Sequence, residues 1–163
     1  MRGPADSPTN SRASSGAGFP VGQPAQPDAN DLAALHACCF ETRAWSAAEF
    51  AALMDKPGIL FMTSHAGDGM IFAQFGAGEA DLLTVAVHPD SRRAGIAADL
   101  LDAFLKVCPQ NGIQEIFLEV GAFNSAALAL YAKAGFSEAG RRKDYYQHAG
   151  GRREDALILR CAI

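Results

Sequence analysis

No stretch of these 163 residues stays apolar over the roughly 18–20 positions that a membrane-spanning helix needs. The first residues also lack the apolar core of a secretory signal. Cysteine is scarce: Cys38, Cys39, Cys108 and Cys161 have neither metal-ligand spacing nor the look of a disulfide framework. The adjacent Cys38 and Cys39 lie in an apolar helical stretch and read as small hydrophobes. A reducing, cytoplasmic setting is therefore expected, with no membrane partner. Positive charge is not in excess, since 14 Lys and Arg face 18 Asp and Glu for a net charge of −4. That balance argues against direct nucleic-acid binding, which needs a basic face. His36, His65, His88 and His148 show no ligand spacing and no nucleophile partner, so no metal site is expected.

What remains is one domain with a single tail. Residues 1–27 are rich in Pro, Gly, Ser and Ala and are expected to be disordered, unless Phe19–Val21 forms a first strand. Residues 28–163 form the domain. Asp28 or Asn30 can cap a helix through Leu32, Leu35, Cys39 and Phe40. Ser46 with Glu49 makes a capping box for a second helix. Gly58–Ser64 and Met70–Gly76 read as strands joined at Gly67-Asp68-Gly69, and Asp81–Val87 as a third. Ala97, Leu100, Leu101, Phe104, Leu105 and Cys108 fall on one helical stripe between Gly95 and Pro109. Ile113–Val120 is a strand with little polar alternation, which suggests an interior place in the sheet. Asn124 caps the next helix and Gly135 ends it. Strands around Ser137–Arg142 and Ala156–Cys161, separated by a loop from Tyr145 to Gly151, complete an α/β pattern.

Four features invite chemistry. The turn Arg92-Arg93-Ala94-Gly95-Ile96-Ala97-Ala98 joins an apolar strand to a helix N-terminus. It is either a plain helix start or a phosphate cradle, in which free N–H groups meet an anion and Gly95 admits close approach. Glu119 stands in an apolar strand, where a carboxylate must be paired, hydrated or facing a cleft. It reads either as a strand-end salt bridge or as a general base with its pKa raised by partial burial. Tyr131 is either a core aromatic or a proton donor to a leaving thiolate, and Asn124 either a cap alone or a cap that also touches ligand. Trp45, Tyr145 and Tyr146 either cover the core edge or frame an incoming peptide.

Together VAVHPDSRRAGIA, LEVGAFNSAALALYAKAGF and DYYQHAGGRREDALIL resemble the GCN5-related N-acetyltransferase (GNAT) superfamily, and within it the bacterial RimI-type enzymes. Those enzymes acetylate the N-terminal alanine of a small-subunit ribosomal protein. The resemblance runs from about Asp28 to Ile163. It implies a GNAT fold, a mixed central sheet splayed between two parallel strands with helices on both faces and acetyl-CoA in the gap. The main chain of Val85, Ala86 and Val87 pairs with the pantetheine arm in that picture. Arg92 to Ala98 hold the pyrophosphate, Asn124 contacts the cofactor, Glu119 accepts a proton and Tyr131 donates one. The chain departs from the family at Ala97, where a second turn glycine is usual, and at Gly121, where an arginine commonly follows Leu-Glu-Val. An extra arginine also enters the Gly-Arg-Glu-Asp run.

The implied reaction is direct acetyl transfer to the N-terminal amine of a ribosomal protein. Two alternatives stand beside it: an acetyltransferase of small amines or lysine side chains, and a non-catalytic acetyl-CoA sensor.

Overall fold

In a computed structural model, residues 27–40 and 43–163 are described. The expected disordered tail, and its alternative strand at Phe19–Val21, lie outside them. Helix α1 (Ala29–Cys39) starts at Asp28, whose carboxylate accepts the Asn30 N–H. Helix α2 (Ala47–Met54) starts at Ser46 with both halves of the capping box made by Glu49. Then come β1 (Ile59–Thr63), β2 (Gly69–Gly76), β3 (Glu79–Val87), α3 (Ile96–Val107), β4 (Glu115–Gly121), α4 (Ser125–Lys133), β5 (Ser137–Gln147) and β6 (Arg153–Ala162).

The strands form one mixed sheet in the order β1-β2-β3-β4-β6-β5. Only β3 and β4 run parallel; the other neighbours are antiparallel. A parallel pair needs a crossover, and α3 supplies it. Helices cover both faces. Leu100, Leu101 and Phe104 of α3 and Tyr131 of α4 pack with Ile71, Leu82, Ile116, Leu118, Val120, Leu157 and Leu159. On the other face Leu32, Leu35 and Phe50 of the first two helices pack with Met70, Phe72 and Ala86.

One irregularity shapes everything that follows. In the β2–β3 ladder Phe72 pairs with Thr84 but Ala73 pairs with Leu82, so Leu83 is an extra residue, a β-bulge. Before it Ala80 and Leu82 face α3; after it Ala86 faces α1, and Thr84 reaches His36 of that helix. The bulge swaps the faces of β3 and bends it. Pairing with β4 stops at the same place, Leu82 opposite Leu118 being its last partner pair. Beyond it Leu83–Val87 and Glu119–Gly121 diverge, which is the splay the resemblance implied.

The loop expected from Tyr145 to Gly151 is shorter than that. Strand β5 continues to Gln147, with Tyr146 opposite Glu154. A second irregularity between Arg142 and Tyr146 makes this possible: Asp144 turns to φ +54°, its N–H bonds the Asp155 carboxylate at 3.0 Å, and pairing resumes beyond it. A bulge absorbs the polar residues that read as a loop.

Candidate active site

The opening between β3 and β4 has unspent main chain on its β3 wall. The His88 N–H donates to the Asp68 carbonyl at 2.7 Å, which sets the antiparallel alternation. Ala86, two residues back, therefore spends its N–H and C=O on β2, and its side chain is buried in the α1 cluster. The main-chain groups of Val85 and Val87 point the other way, into the opening. Of the three residues expected to meet a pantetheine arm, Ala86 is thus turned from it. The Val87 carbonyl accepts the Cys39 thiol at 3.2 Å and Arg92 Nε at 3.3 Å, so the end of β3 is pinned from two sides. Cys38, expected to pack as a small hydrophobe, is exposed instead.

After a 3-10 turn at Pro89–Ser91 the chain enters the basic turn. Arg93 adopts φ +66° and Gly95 φ +88°, and α3 then begins with no side chain capping it. The first intrahelical bond is from Asp99 N–H to Gly95 O, so the N–H groups of Ile96, Ala97 and Ala98 have no helical acceptor. An arginine held left-handed is strained, and strain of this kind concentrates where the backbone serves a ligand. Arg92 and Arg93 are exposed beside it, and Ala94 completes the turn. These groups suit a pyrophosphate. A separate hollow across Ile96, lined by Ser64, His65, Asp68 and Asp99, carries acids and does not suit one.

Glu119 lies on the sheet face away from α3, opposite Ile158. Its side chain is 33% exposed and pairs with Arg142 at 3.0 Å. The side chain is partly buried, as expected, although among the described residues the α1–α2 cluster covers β1, β2 and the end of β3 and does not extend over this part of β4. The salt-bridge reading of Glu119 describes its state here, and the carboxylate stands beside the opening.

Tyr131 is 8% exposed on the α3–α4 side, tilted against Phe136 with ring centroids 5.6 Å apart. Burial pushes its phenol up to about 12. Among the described residues the only sealed side-chain polar atom without a partner is Gln74 Oε1, so the Tyr131 hydroxyl is not an orphaned buried donor. Glu119 and Tyr131 belong to opposite faces of β4 and do not bond each other. They can address one molecule only through the opening.

Asn124 caps α4, its Oδ1 accepting the Ala127 N–H at 3.1 Å. The Trp45 ring joins the α1–α2 cluster: it stacks on His36 at 4.9 Å, and its main-chain N–H donates to His36 Nδ1. Tyr145 and Tyr146 meet edge to face at 5.1 Å, with the Arg43 guanidinium over both rings and that of Arg142 over Tyr145. The Tyr146 phenol is pushed up by burial first and then by the Glu119 carboxylate. That places Tyr146 near Glu119. Arg43 and Glu154 were not singled out from the sequence, Arg142 reads there only as a strand residue and His148 as lacking a partner, because each gains its meaning from a group distant in the chain.

Comparisons with known proteins agree with this geometry. Residues 31–136 match the acetyltransferase (GNAT) family. The chain is similar to the ribosomal protein bS18-alanine N-acetyltransferase of Escherichia coli (strain K12), 37% identical over 73% of this chain and 81% of that one. The crystal structure of the ribosomal-protein-S18-alanine N-acetyltransferase from Escherichia coli superposes with a TM-score of 0.75 at 31% identity, over 83% and 88% of the two chains. The NatC complex bound to Gag peptide and CoA shares the fold alone, with a TM-score of 0.72 at 20% identity over 85% and 92%.

Proposed function

The chain belongs to the acetyltransferase (GNAT) family, and on that premise we propose that it moves acetyl from acetyl-CoA to the N-terminal amine, an alanine's, of a ribosomal small-subunit protein. The observation that carries the reading is the parting of β3 and β4 beyond Leu82 and Leu118, with Glu119 beside it. The acceptor follows from the similarity to the Escherichia coli alanine N-acetyltransferase.

Acetyl-CoA supplies the acetyl group as an activated thioester. The free N–H groups of Ile96, Ala97 and Ala98, with Arg92 and Arg93 beside them, hold the pyrophosphate. Val85 aligns the pantetheine arm by main-chain bonds, and the N–H of Val87, whose carbonyl is taken by Cys39 and Arg92, polarises the thioester carbonyl. Asn124 keeps its amide N–H₂ for the same ligand while its oxygen caps α4. Glu119, oriented by Arg142, takes a proton from the acceptor's ammonium through a water. An α-ammonium has a pKa of about 7.7–8 against roughly 10.4 for lysine, so a carboxylate base suffices for a chain terminus. Tyr131, kept protonated by burial, donates to the departing sulfur, and one net proton leaves to solvent. Holding the reactants in line supplies several kcal/mol without a covalent enzyme intermediate. Tyr145 and Tyr146 form the acceptor wall.

The test is mass analysis of peptides after incubation with labelled acetyl-CoA. A peptide with a free N-terminal alanine gains one acetyl group, while one with a blocked N-terminus and an internal lysine gains none. Equal labelling of both, or of neither, refutes the N-terminal reading.

A further inference from the structure

Glu154 is only 6% exposed, and the mechanism above gives it no part. A buried carboxylate is costly unless its oxygens are bonded. Here one oxygen, Oε1, accepts the Phe123 N–H at 2.5 Å, and the other, Oε2, meets Nε2 of His148. These partners come from different elements. Phe123 immediately precedes Asn124, the cap of the helix that carries Tyr131. His148 follows Gln147, the last residue of β5, and Tyr146 lies directly across the ladder from Glu154. Gly121 is shaped to the same group: a Cβ there falls 2.5 Å from Glu154 Oε1 and 3.0 Å from its carboxyl carbon.

We propose that Glu154 and His148 form a positioning pair that sets the width of the acceptor entrance, tying the Phe123–Asn124 turn to the Tyr145–Tyr146 wall. Gly121 keeps the space in which the carboxylate makes both bonds. The pair touches neither the acetyl group nor the amine; it acts through the two walls it joins. Its loss therefore costs acceptor binding rather than the transfer step. This inference rests on the acyl-transfer reading for its effect on kinetics, while the geometry of the tie is independent of it.

The experiment uses the full chain. His148→Ala raises the KM for a peptide with a free N-terminal alanine roughly tenfold and leaves kcat within about twofold. His148 is 42% exposed at its side chain, so its removal leaves the core packing alone. His148→Gln, whose amide N–H reaches the same oxygen, returns the peptide KM to within about threefold of the parent. Gly121→Ala crowds the carboxylate out of its place and reproduces the His148→Ala effect, and the double variant is no worse than the worse single one. An unchanged peptide KM, a fall in kcat instead, or additive effects overturn the proposal. Hydrogen–deuterium exchange reads the tie without any acceptor. Amides in 121–124 and 144–148 exchange faster in both single variants; no change there also overturns it. Should the parent protein acetylate no N-terminal peptide while those amides respond, the function proposed above falls and the tie stands.

Discussion

On the sheet face away from α3, the two halves of the molecule are built on opposite terms. Over β2 the face is sealed: Phe50, Met70 and Phe72 are fully buried, and Phe50 meets Phe72 edge-on at 5.3 Å. Over β4, β6 and β5 the same face is wet and charged: Glu119, Arg142, Tyr145, Tyr146 and Arg43 are linked by successive contacts, and none of the described helices lies above them. One half obtains its stability from apolar burial; the other keeps a surface where an acceptor can reach the opening. The boundary between them is the bulge at Leu83, where β3 changes the face it buries.

That contrast can be broken from either side. The largest effect is expected on the open half. Glu119→Gln should lower kcat by about 10²–10⁴-fold, the usual contribution of a positioned proton acceptor, with acetyl-CoA affinity and thermal stability unchanged. Steady-state kinetics beside a melting curve checks this, and a rate within threefold of the parent removes Glu119 from the role. On the sealed half the sign reverses. Phe50→Ala should cost about 3–5 kcal/mol of folding stability, measured by urea unfolding, because it leaves a cavity between α2 and β2. An effect as small as that of an exposed substitution contradicts the packing described for that half.

The smallest effect sharpens the comparison through pH. His36 is buried, accepts the Trp45 N–H and stacks on Phe40 and Trp45, and burial holds its pKa below the ordinary 6.5, with Glu49 partly opposing. A depressed folded pKa means that the unfolded chain takes up the proton first as pH falls. The contribution of His36 is then full above about 6.5 and is lost as pH drops below that value toward the folded pKa. Urea midpoints compared at pH 7.5 and 5.5 should show the parent weaker at the lower pH, and His36→Phe should flatten that difference. A slope that survives the substitution assigns the effect to other groups.

Much of the fold was legible because it depends on local rules. The Ser46–Glu49 capping box, the Asn124 cap and the stripe from Leu100 to Phe104 each involve residues within a few positions of one another. The turn from Arg92 to Ala98 was readable for the same reason, since strand, glycine and helix start follow in order. The acceptor side was less legible. Trp45 was grouped with Tyr145 and Tyr146 as a large aromatic near a loop, yet His36 draws it into the α1–α2 cluster. Glu119 could be placed in an apolar strand, but its pairing with Arg142 depends on where α1 and α2 stop covering the sheet. No local pattern marks Glu154, because its partners Phe123 and His148 stand on separate elements.

The chain alone determined the alternation of strands and helices, the family it resembles and the residue types offered for acetyl transfer, because periodicity, capping and motif spacing act over short separations. Only the tertiary structure decided that β3 flips at Leu83 and parts from β4, that Arg142 sits on Glu119, and that Gly121 makes room for a buried carboxylate. Those outcomes turn on which distant groups compete for one face or one oxygen, and that competition is settled only when the sheet is assembled.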